Sequence, residues 1–184
     1  RTGIANIGLP SSTAVNTCRQ FSIYAGDDAI GSYRRFFASK ISGRTSKGLG
    51  VGFFNAITDK TFAVWGLAFK PGTDDMREAS AITIINELTS RGAKIQAYDP
   101  KAMEEAQLFY LKDVENVAYS NAKYDTLKNA DAMLLLTEWK EFRSPDFEKI
   151  KIQLKTPVIF DGRNQYNTFS LEEKGFEYHQ IGKK

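Results

Sequence analysis

From residue 58 onwards, the hydrophobic and polar positions of the chain fall into two kinds of segment. Short and almost continuous apolar runs, at residues 62–69 and 132–137, are typical of strands that are buried on both faces of a sheet. Residues 79–91 instead carry isoleucine and leucine at helical spacing, and Gly92 follows where helix C-termini favour glycine. The pattern therefore predicts strands that are separated by helices.

This alternation continues to the end of the chain. Besides the two apolar runs, we predict strands at residues 93–98, 117–119, 158–161 and 176–181, and helices or helical turns at residues 101–110, 124–129, 147–154 and 170–174. Alternating strands and helices of this kind build parallel sheets with helices on both faces. We therefore expect an α/β fold with a doubly wound, mainly parallel, Rossmann-like sheet, in which the last strand is an edge strand.

The first 57 residues differ in composition from the rest. They hold eight of the fourteen glycines and no glutamate. Residues 33–41 have the pattern of a short helix, but four glycines between residues 43 and 52 interrupt any longer one. We therefore divide the chain into an unassigned N-terminal segment, residues 1–57, and a folded domain, residues 58–184.

Charge and composition exclude several classes of protein. Residues 1–60 carry eight Lys/Arg against three Asp/Glu, but the basic residues are scattered, so we predict no binding to nucleic acid. The only cysteine, Cys18, and the only histidine, His179, rule out a disulfide framework and a cysteine- or histidine-rich metal site. No apolar run approaches the roughly 18 residues of a membrane-spanning helix, and no signal pattern is present. We predict a cytoplasmic protein without membrane or metal partners, with His179 on its surface.

Two cations lie where a doubly wound sheet binds its ligands. Lys70 and Arg163 each end a predicted buried strand, and the carboxyl ends of parallel strands form the ligand-binding edge of such sheets. If the two strands lie near each other, both cations face one crevice and could hold a diphosphate. The alternative for either residue is a solvated surface cation.

The residues around the start of the first predicted helix carry both signs of charge. For Asp74 and Asp75 we prefer helix capping, because acidic side chains satisfy free N–H groups and offset the helix dipole. Arg77 gains nothing from the dipole at a helix start. Its charge therefore needs another explanation, which the residues alone do not supply.

Two further residues follow predicted strands. Trp139 either packs under its loop or flanks a nucleotide base, and we prefer packing. Asp99 stands where some Rossmann domains bind a ribose hydroxyl. The loop after the first predicted strand lacks the glycine fingerprint, since it reads Gly-Leu-Ala-Phe-Lys-Pro, so we do not expect this domain to bind a dinucleotide.

Four segments together resemble one family. The strand-turn-helix run at residues 61–79, the Tyr-Asp-Pro at 98–100, the Leu-Thr-Glu-Trp-Lys-Glu-Phe at 136–142 and the Val-Ile-Phe-Asp-Gly-Arg-Asn at 158–164 recur in this order in UDP-glucose 6-dehydrogenases. The resemblance is to the UDP-binding C-terminal domain of these enzymes. It covers about two thirds of the chain.

The resemblance implies roles for four residues. Lys70 and Arg163 match residues that contact the UDP-sugar, and Phe69 matches a neighbouring position beside the substrate. Arg77 matches an arginine that reaches NAD held by the other domain of the enzyme. The implied ligands are UDP-glucose or UDP-glucuronate, and the implied cofactor is NAD, which we do not expect to bind stably to this chain alone. The resemblance also implies that the parent enzyme is a homo-oligomer.

The resemblance does not extend to the catalytic parts of these enzymes. Their nucleophilic cysteine lies in Gly-Gly-Ser-Cys-Phe-Pro-Lys-Asp, whereas Cys18 lies in Asn-Thr-Cys-Arg-Gln, so we assign no catalytic residue and expect no activity from the chain alone. A sister enzyme that acts on UDP-N-acetylmannosamine, UDP-N-acetylglucosamine or GDP-mannose remains an alternative. Another is a non-catalytic nucleotide-binding or assembly module.

Overall fold

A computed structural model of the protein describes residues 40–41, 44–45, 48–49, 53–54 and 56–182. Within this part, the strands are β1 (Arg44–Thr45), β2 (Gly48–Leu49), β3 (Thr61–Trp65), β4 (Lys94–Tyr98), β5 (Val117–Tyr119), β6 (Ala132–Leu135), β7 (Val158–Asp161) and β8 (Glu177–Gln180). The helices are α1 (Ser80–Thr89), α2 (Met103–Glu105) and α3 (Phe147–Gln153). A π-helical turn, Ala106–Tyr110, continues α2, and 3₁₀ turns lie at Lys123–Leu127 and Lys140–Phe142.

Six of these strands form one sheet in the order β5-β4-β3-β6-β7-β8, and every neighbouring pair is parallel. This is the 3-2-1-4-5-6 order of the doubly wound Rossmann fold. The expected fold class is therefore confirmed, and β8 is the edge strand that we predicted. The strand order reverses between β3 and β6, so the ligand-binding crevice of this fold lies at the carboxyl ends of these two strands.

The burial of the strands follows their position in the sheet. All residues of β6 and β7 and all but the first residue of β3 are buried, whereas the edge strands β5 and β8 are partly exposed. Strands covered on both faces need apolar side chains at every position, which explains the continuous apolar runs in the sequence. The centre of the sheet therefore provides a rigid base for the loops at its carboxyl edge.

The described residues of the N-terminal segment also contribute to the hydrophobic core. Ile41, Phe54 and Ile57 are buried in the same cluster as the central strands. Phe54 packs edge-to-face on Phe62, with 5.6 Å between the ring centroids. The backbone N–H of Phe54 also donates to the carbonyl of Ile41 at 3.1 Å. Residues 41 and 54 are therefore held both to each other and to the sheet.

The predicted strands at residues 62–69 and 132–137 are both too long. β3 ends at Trp65 because Gly66 adopts a left-handed conformation with φ of 95° and donates its N–H to the Tyr98 carbonyl. Chain direction changes at this glycine, so the apolar residues that follow belong to a loop. Lys70 therefore lies five residues beyond its strand and does not end it.

The helices differ from their predictions mainly at their C-terminal ends. The predicted helix at 101–110 changes from α to π geometry at Ala106, where the N–H of Leu111 bonds to the carbonyl five residues back at 2.8 Å. This wider turn brings Leu111 into the core and leaves Leu108 and Phe109 exposed. The helical turn predicted at 170–174 is a series of single hydrogen-bonded turns and forms no helix.

Candidate functional site

The loops after β3 and β6 are in direct contact at the point where the strand order reverses. A Cβ atom at Gly66 would lie 2.5 Å from the Cβ of Thr137, so only glycine fits there. The Thr137 hydroxyl donates to the Ala68 carbonyl at 2.6 Å. These contacts hold the loops after β3 and β6 against each other.

Asp99, the residue directly after β4, joins three loops through one buried carboxylate. Its Oδ2 accepts the backbone N–H groups of Leu67 and Ala68, at 2.7 and 3.1 Å, and its Oδ1 accepts those of Lys101 and Ala102, at 2.9 and 2.8 Å. The residue is only 2% exposed. Both oxygens thus accept hydrogen bonds from protein donors. Asp99 therefore holds loops together here and does not have the ribose-binding role that we considered for it.

Trp139 belongs to the same cluster. Its indole Nε1–H donates to Asp99 Oδ2 at 3.0 Å, and the residue is buried. The preference for loop packing over base stacking is therefore confirmed. The tryptophan fixes the loop after β6 to the acidic residue that also fixes the loop after β3.

Arg163 lies across the loops that follow β3 and β6. Its Nε donates to the Leu136 carbonyl at 2.7 Å, and a terminal guanidinium nitrogen lies 3.3 Å from the Phe69 carbonyl. The Nε also forms an ion pair with Glu138, whose carboxylate oxygen is 3.0 Å away. The sequence analysis did not identify Glu138, because it lies in the loop three residues beyond β6 and its partner Arg163 is distant in sequence. The structure thus brings Arg163 beside the Phe69-Lys70 segment, as the crevice hypothesis requires.

The backbone of Arg163 is fixed by Asp161, the last residue of β7. Asp161 Oδ1 accepts the Arg163 N–H at 2.8 Å, and Oδ2 accepts the Tyr166 N–H and the Tyr178 hydroxyl. Burial raises the pKa of this fully enclosed carboxyl, while the hydrogen bonds from Tyr166, Arg163 and Tyr178 oppose that rise. An acid that ends a run of buried apolar residues was the available signal for Asp161, and the sequence analysis did not use it.

Phe69 and Lys70 are the exposed residues of the loop after β3. Phe69 is 47% exposed, although its N–H is held by the Asp75 carbonyl at 2.9 Å. Lys70 is also exposed, and no hydrogen bond to it is recorded among the described residues. Its charge contributes to lowering the pKa of Asp75. The loop after β3 therefore exposes an aromatic ring at the residue whose carbonyl contacts Arg163 and an ammonium group at the residue directly after it.

The charged residues before α1 pair with each other and do not cap the helix. The first helical residue is Ser80, and Ala79 precedes it without a side-chain cap, so the capping prediction for Asp74 and Asp75 was wrong. Asp75 instead accepts three side-chain hydrogen bonds from Arg77, at 3.0, 3.2 and 2.7 Å. These hydrogen bonds lower the pKa of Asp75 to about 2. Arg77 lies three residues before the helix, with its side chain 79% exposed.

One further residue from the sequence analysis, His179, lies on the edge strand β8. The expectation that His179 is a surface residue was wrong, because its ring stacks on Phe160 at 4.8 Å and its side chain is 16% exposed. Burial lowers the pKa of His179. Cys18 lies outside the described residues. Within the described ranges, no group of three His, Cys, Asp or Glu residues could hold a metal, and no helix has the length and hydrophobicity to cross a membrane.

An all-parallel sheet of this order defines a doubly wound α/β domain, the class of fold that binds its ligands at the carboxyl edge of the strands. A sequence model of the UDP-glucose/GDP-mannose dehydrogenase family, UDP binding domain, matches residues 63–168. The chain therefore belongs to this family of nucleotide-sugar dehydrogenases. A second model, for a domain of unknown function, matches residues 28–96, which is less than half of the chain.

Relatives with names agree with this family. The chain is 42% identical over 126 residues to a UDP-glucose 6-dehydrogenase of Pseudomonas aeruginosa, a match that covers 67% of this chain and 28% of the relative. Among solved structures, a UDP-glucose dehydrogenase from Pyrobaculum islandicum shares 27% identity with a TM-score of 0.54, over 70% of this chain and 26% of that one. A UDP-D-ManNAc dehydrogenase from Pyrococcus horikoshii has the same identity and TM-score, over 68% and 26%. The chain thus spans little more than a quarter of the length of these relatives.

The site does not fit a dinucleotide such as NAD. In a Rossmann domain that binds one, the glycine-rich loop after the first strand offers free N–H groups to the diphosphate. Here the corresponding N–H groups of Leu67 and Ala68 are bound to Asp99. The exposed Arg77 is not among the residues whose N–H groups bind Asp99. The loop after β3 therefore offers no free N–H groups at Leu67 and Ala68 for a dinucleotide diphosphate.

Proposed function

We propose that residues 58–184 bind the diphosphate of a UDP-sugar, with UDP-glucose as the preferred ligand. Lys70 and Arg163 hold the phosphates, and Phe69 lies beside the sugar nucleotide. The observation that carries this proposal is the position of the Arg163 guanidinium, which contacts the Leu136 and Phe69 carbonyls at the carboxyl ends of β6 and β3. Arginine is suited to this role because its planar fork matches the oxygens of a phosphate.

The parent enzyme in this proposal is an NAD-dependent UDP-glucose 6-dehydrogenase of the cytoplasm, which converts UDP-glucose to UDP-glucuronate as a homo-oligomer. The name of the Pseudomonas relative supports this substrate. The Pyrococcus relative, named for UDP-D-ManNAc, supports a sister enzyme as the alternative. In this proposal the ligand contacts come from residues 58–184 alone, and the described residues Ile41, Phe54 and Ile57 contribute to the hydrophobic core.

Titration calorimetry with UDP, UDP-glucose and GDP tests the binding site. We expect UDP and UDP-glucose to bind and GDP to bind more weakly. Arg163→Ala should weaken UDP binding by about tenfold or more, because charge-assisted hydrogen bonds are worth about 1.5–3 kcal/mol each. Arg163→Lys should recover only part of this loss, since lysine keeps the charge without the fork.

Lys94→Ala is the matched control for these variants. Lys94 is an exposed cation at the opposite edge of the sheet, where it pairs with Asp59 at 3.5 Å. Its removal changes net charge by the same amount and should leave UDP affinity unchanged. Equal losses from Lys94→Ala and Arg163→Ala would mean that the effect is only electrostatic attraction by the whole protein, and Arg163 would not belong to the site.

We also propose that this chain alone produces no NADH from UDP-glucose and NAD⁺. The support is the occupation of the Leu67 and Ala68 N–H groups by Asp99, together with the unrelated context of Cys18. The measurement is absorbance at the NADH band over several hours. Steady growth of this signal, abolished by Cys18→Ser, would show that the chain is catalytically complete.

A further inference from the structure

We propose that Asp99 is a positioning residue for the UDP-sugar site. Its carboxylate accepts the N–H groups of Leu67 and Ala68 and so holds the loop between β3 and α1 in the conformation that presents Phe69 and Lys70. This inference rests on the proposed function, because it names the residue that shapes the same site.

The first step of the argument is the number and origin of the donors. Five N–H groups bind the two oxygens of Asp99, and they come from the loops after β3, β4 and β6. A carboxylate accepts bonds from five donors without a donor of its own, whereas asparagine would place an NH₂ group against two or more of them. The cluster therefore requires a side chain with two acceptor oxygens and no donor at this position.

The second step connects Asp99 to Lys70. The N–H of Ala68 is bound by Asp99 and its carbonyl by the Thr137 hydroxyl, at 2.6 Å. The next N–H, that of Phe69, is bound by the Asp75 carbonyl at 2.9 Å. Two consecutive residues are thus fixed directly before Lys70. These bonds fix the backbone from which the Lys70 side chain leaves the loop.

The third step connects Asp99 to Arg163. Trp139 donates to Asp99 and directly follows Glu138, which forms the ion pair with Arg163. The loop after β6 is therefore tied at one residue to Asp99 and at the preceding one to the guanidinium. One buried carboxylate thus supports both cations of the site, although it contacts neither side chain.

The test compares Asp99→Asn with Asp131→Asn in the full chain. Asp131 is a second buried acid, which accepts the Thr61 N–H at the opposite edge of the same sheet. By calorimetry, Asp99→Asn should weaken UDP binding by about tenfold or more, and Asp131→Asn by less than about twofold. Equal affinities of the wild type and Asp99→Asn would overturn the proposal, as would equal losses in the two variants.

A double-mutant cycle separates positioning from general loss of stability. In the wild type, we expect Lys70→Ala to weaken UDP binding by about tenfold. In the Asp99→Asn background the same change should weaken it by about threefold or less, because the ammonium group is no longer held in place. Full additivity of the two changes would mean that Asp99 does not act through Lys70, and would overturn this link.

Amide hydrogen exchange tests whether Asp99 holds the loop, even if Asp99→Asn does not fold. Trp139→Phe removes one donor and keeps the aromatic ring, so it is the milder variant. It should increase exchange at Leu67 and Ala68 and reduce UDP affinity by about threefold. Unchanged exchange at these two amides would show that Asp99 does not hold the loop. Absence of UDP binding by a folded wild type would instead refute the proposed function and, with it, the link between Asp99 and ligand.

Discussion

At the scale of single residues, Gly66 is the most constrained position of the site. Its backbone is left-handed, and the Thr137 backbone and side chain occupy the space that any Cβ would need. Glycine is therefore required at Gly66 for two separate reasons. Gly72 in the same loop has a similar φ of 90° but nothing within 4 Å of its Cβ position.

These two glycines allow the two requirements to be measured separately. Gly72→Ala should destabilise the protein by about 1–2 kcal/mol, the conformational term alone. Gly66→Ala should lose about 2–5 kcal/mol, because overpacking against Thr137 adds to that term. Urea denaturation followed by circular dichroism gives both values. Similar values for the two variants would mean that the loops after β3 and β6 separate easily.

At the scale of elements, Asp131 joins the amino ends of β3 and β6. It accepts the Thr61 N–H at 2.9 Å and forms ion pairs of 3.3 Å with Lys60 and Lys155. Burial alone would raise the pKa of Asp131, but these hydrogen bonds outweigh burial and lower the pKa below its ordinary value of 3.8. The two central strands are thus fixed at both edges, by Asp131 at one and by Thr137 and Asp99 at the other.

The lowered pKa of Asp131 predicts how stability depends on pH. A depressed carboxyl pKa gives stability that is present above pH 3.8 and is lost as pH falls through the folded-state value. Asp131→Asn should therefore lose about 1–2 kcal/mol at pH 7, where asparagine can still accept the Thr61 N–H, and the difference from the wild type should shrink below pH 3.8. Chemical denaturation at pH 7, 5 and 3 measures this difference in the free energy of unfolding. The opposite pH dependence that Asp161 contributes is the same in both proteins and cancels in the difference.

Asp59→Asn provides the control for this pH dependence. Asp59 pairs with Lys94 at the same edge of the sheet, but its side chain is 81% exposed. Its removal changes the charge equally and should alter stability by less than about 0.5 kcal/mol at any of these pH values. A pH-independent difference for Asp131→Asn, or an equal effect of Asp59→Asn, would contradict the assignment.

The sequence predicted which strands and helices form more accurately than it predicted where they end or which residues form the site. Buried strands have continuous apolar runs, so the sequence alone predicted β6 and β7. The end of β3 was not found, because Gly66 turns the chain through contacts with Tyr98 and Thr137, which are distant in sequence. For the same reason the role of Asp99 was missed: its donors lie in three loops up to 40 residues away.

At the scale of the whole molecule, Arg77 is the residue whose role depends on parts of the relatives that this chain does not match. In the described structure, Arg77 pairs only with Asp75 on the surface, outside the Asp99 cluster. We expect Arg77→Ala in this chain to leave UDP affinity and the melting temperature nearly unchanged, because exposed ion pairs contribute little. Calorimetry and thermal denaturation check both. A loss of UDP binding would place Arg77 in the nucleotide-sugar site.

The same variant in a full-length protein of this family tests the proposed contact with NAD. Arg77→Ala should raise the NAD⁺ concentration needed for half-maximal rate and leave that for the UDP-sugar unchanged. Arg77→Lys, which keeps the charge, is the matched variant. If neither variant changes the NAD⁺ requirement, Arg77 does not contact NAD, and its ion pair with Asp75 is its only role.

The order of the strands also determines how the chain can fold. β3 is the first strand of the sheet along the chain, yet one of its two neighbours is β6, with paired residues about seventy positions apart. Such pairing requires the closure of a long loop, which costs entropy before any contact between the two strands offsets that cost. We expect refolding on a timescale of about milliseconds to seconds. During synthesis, one edge of β3 stays unpaired until β6 has left the ribosome, and in that interval the strand is open to association with other chains.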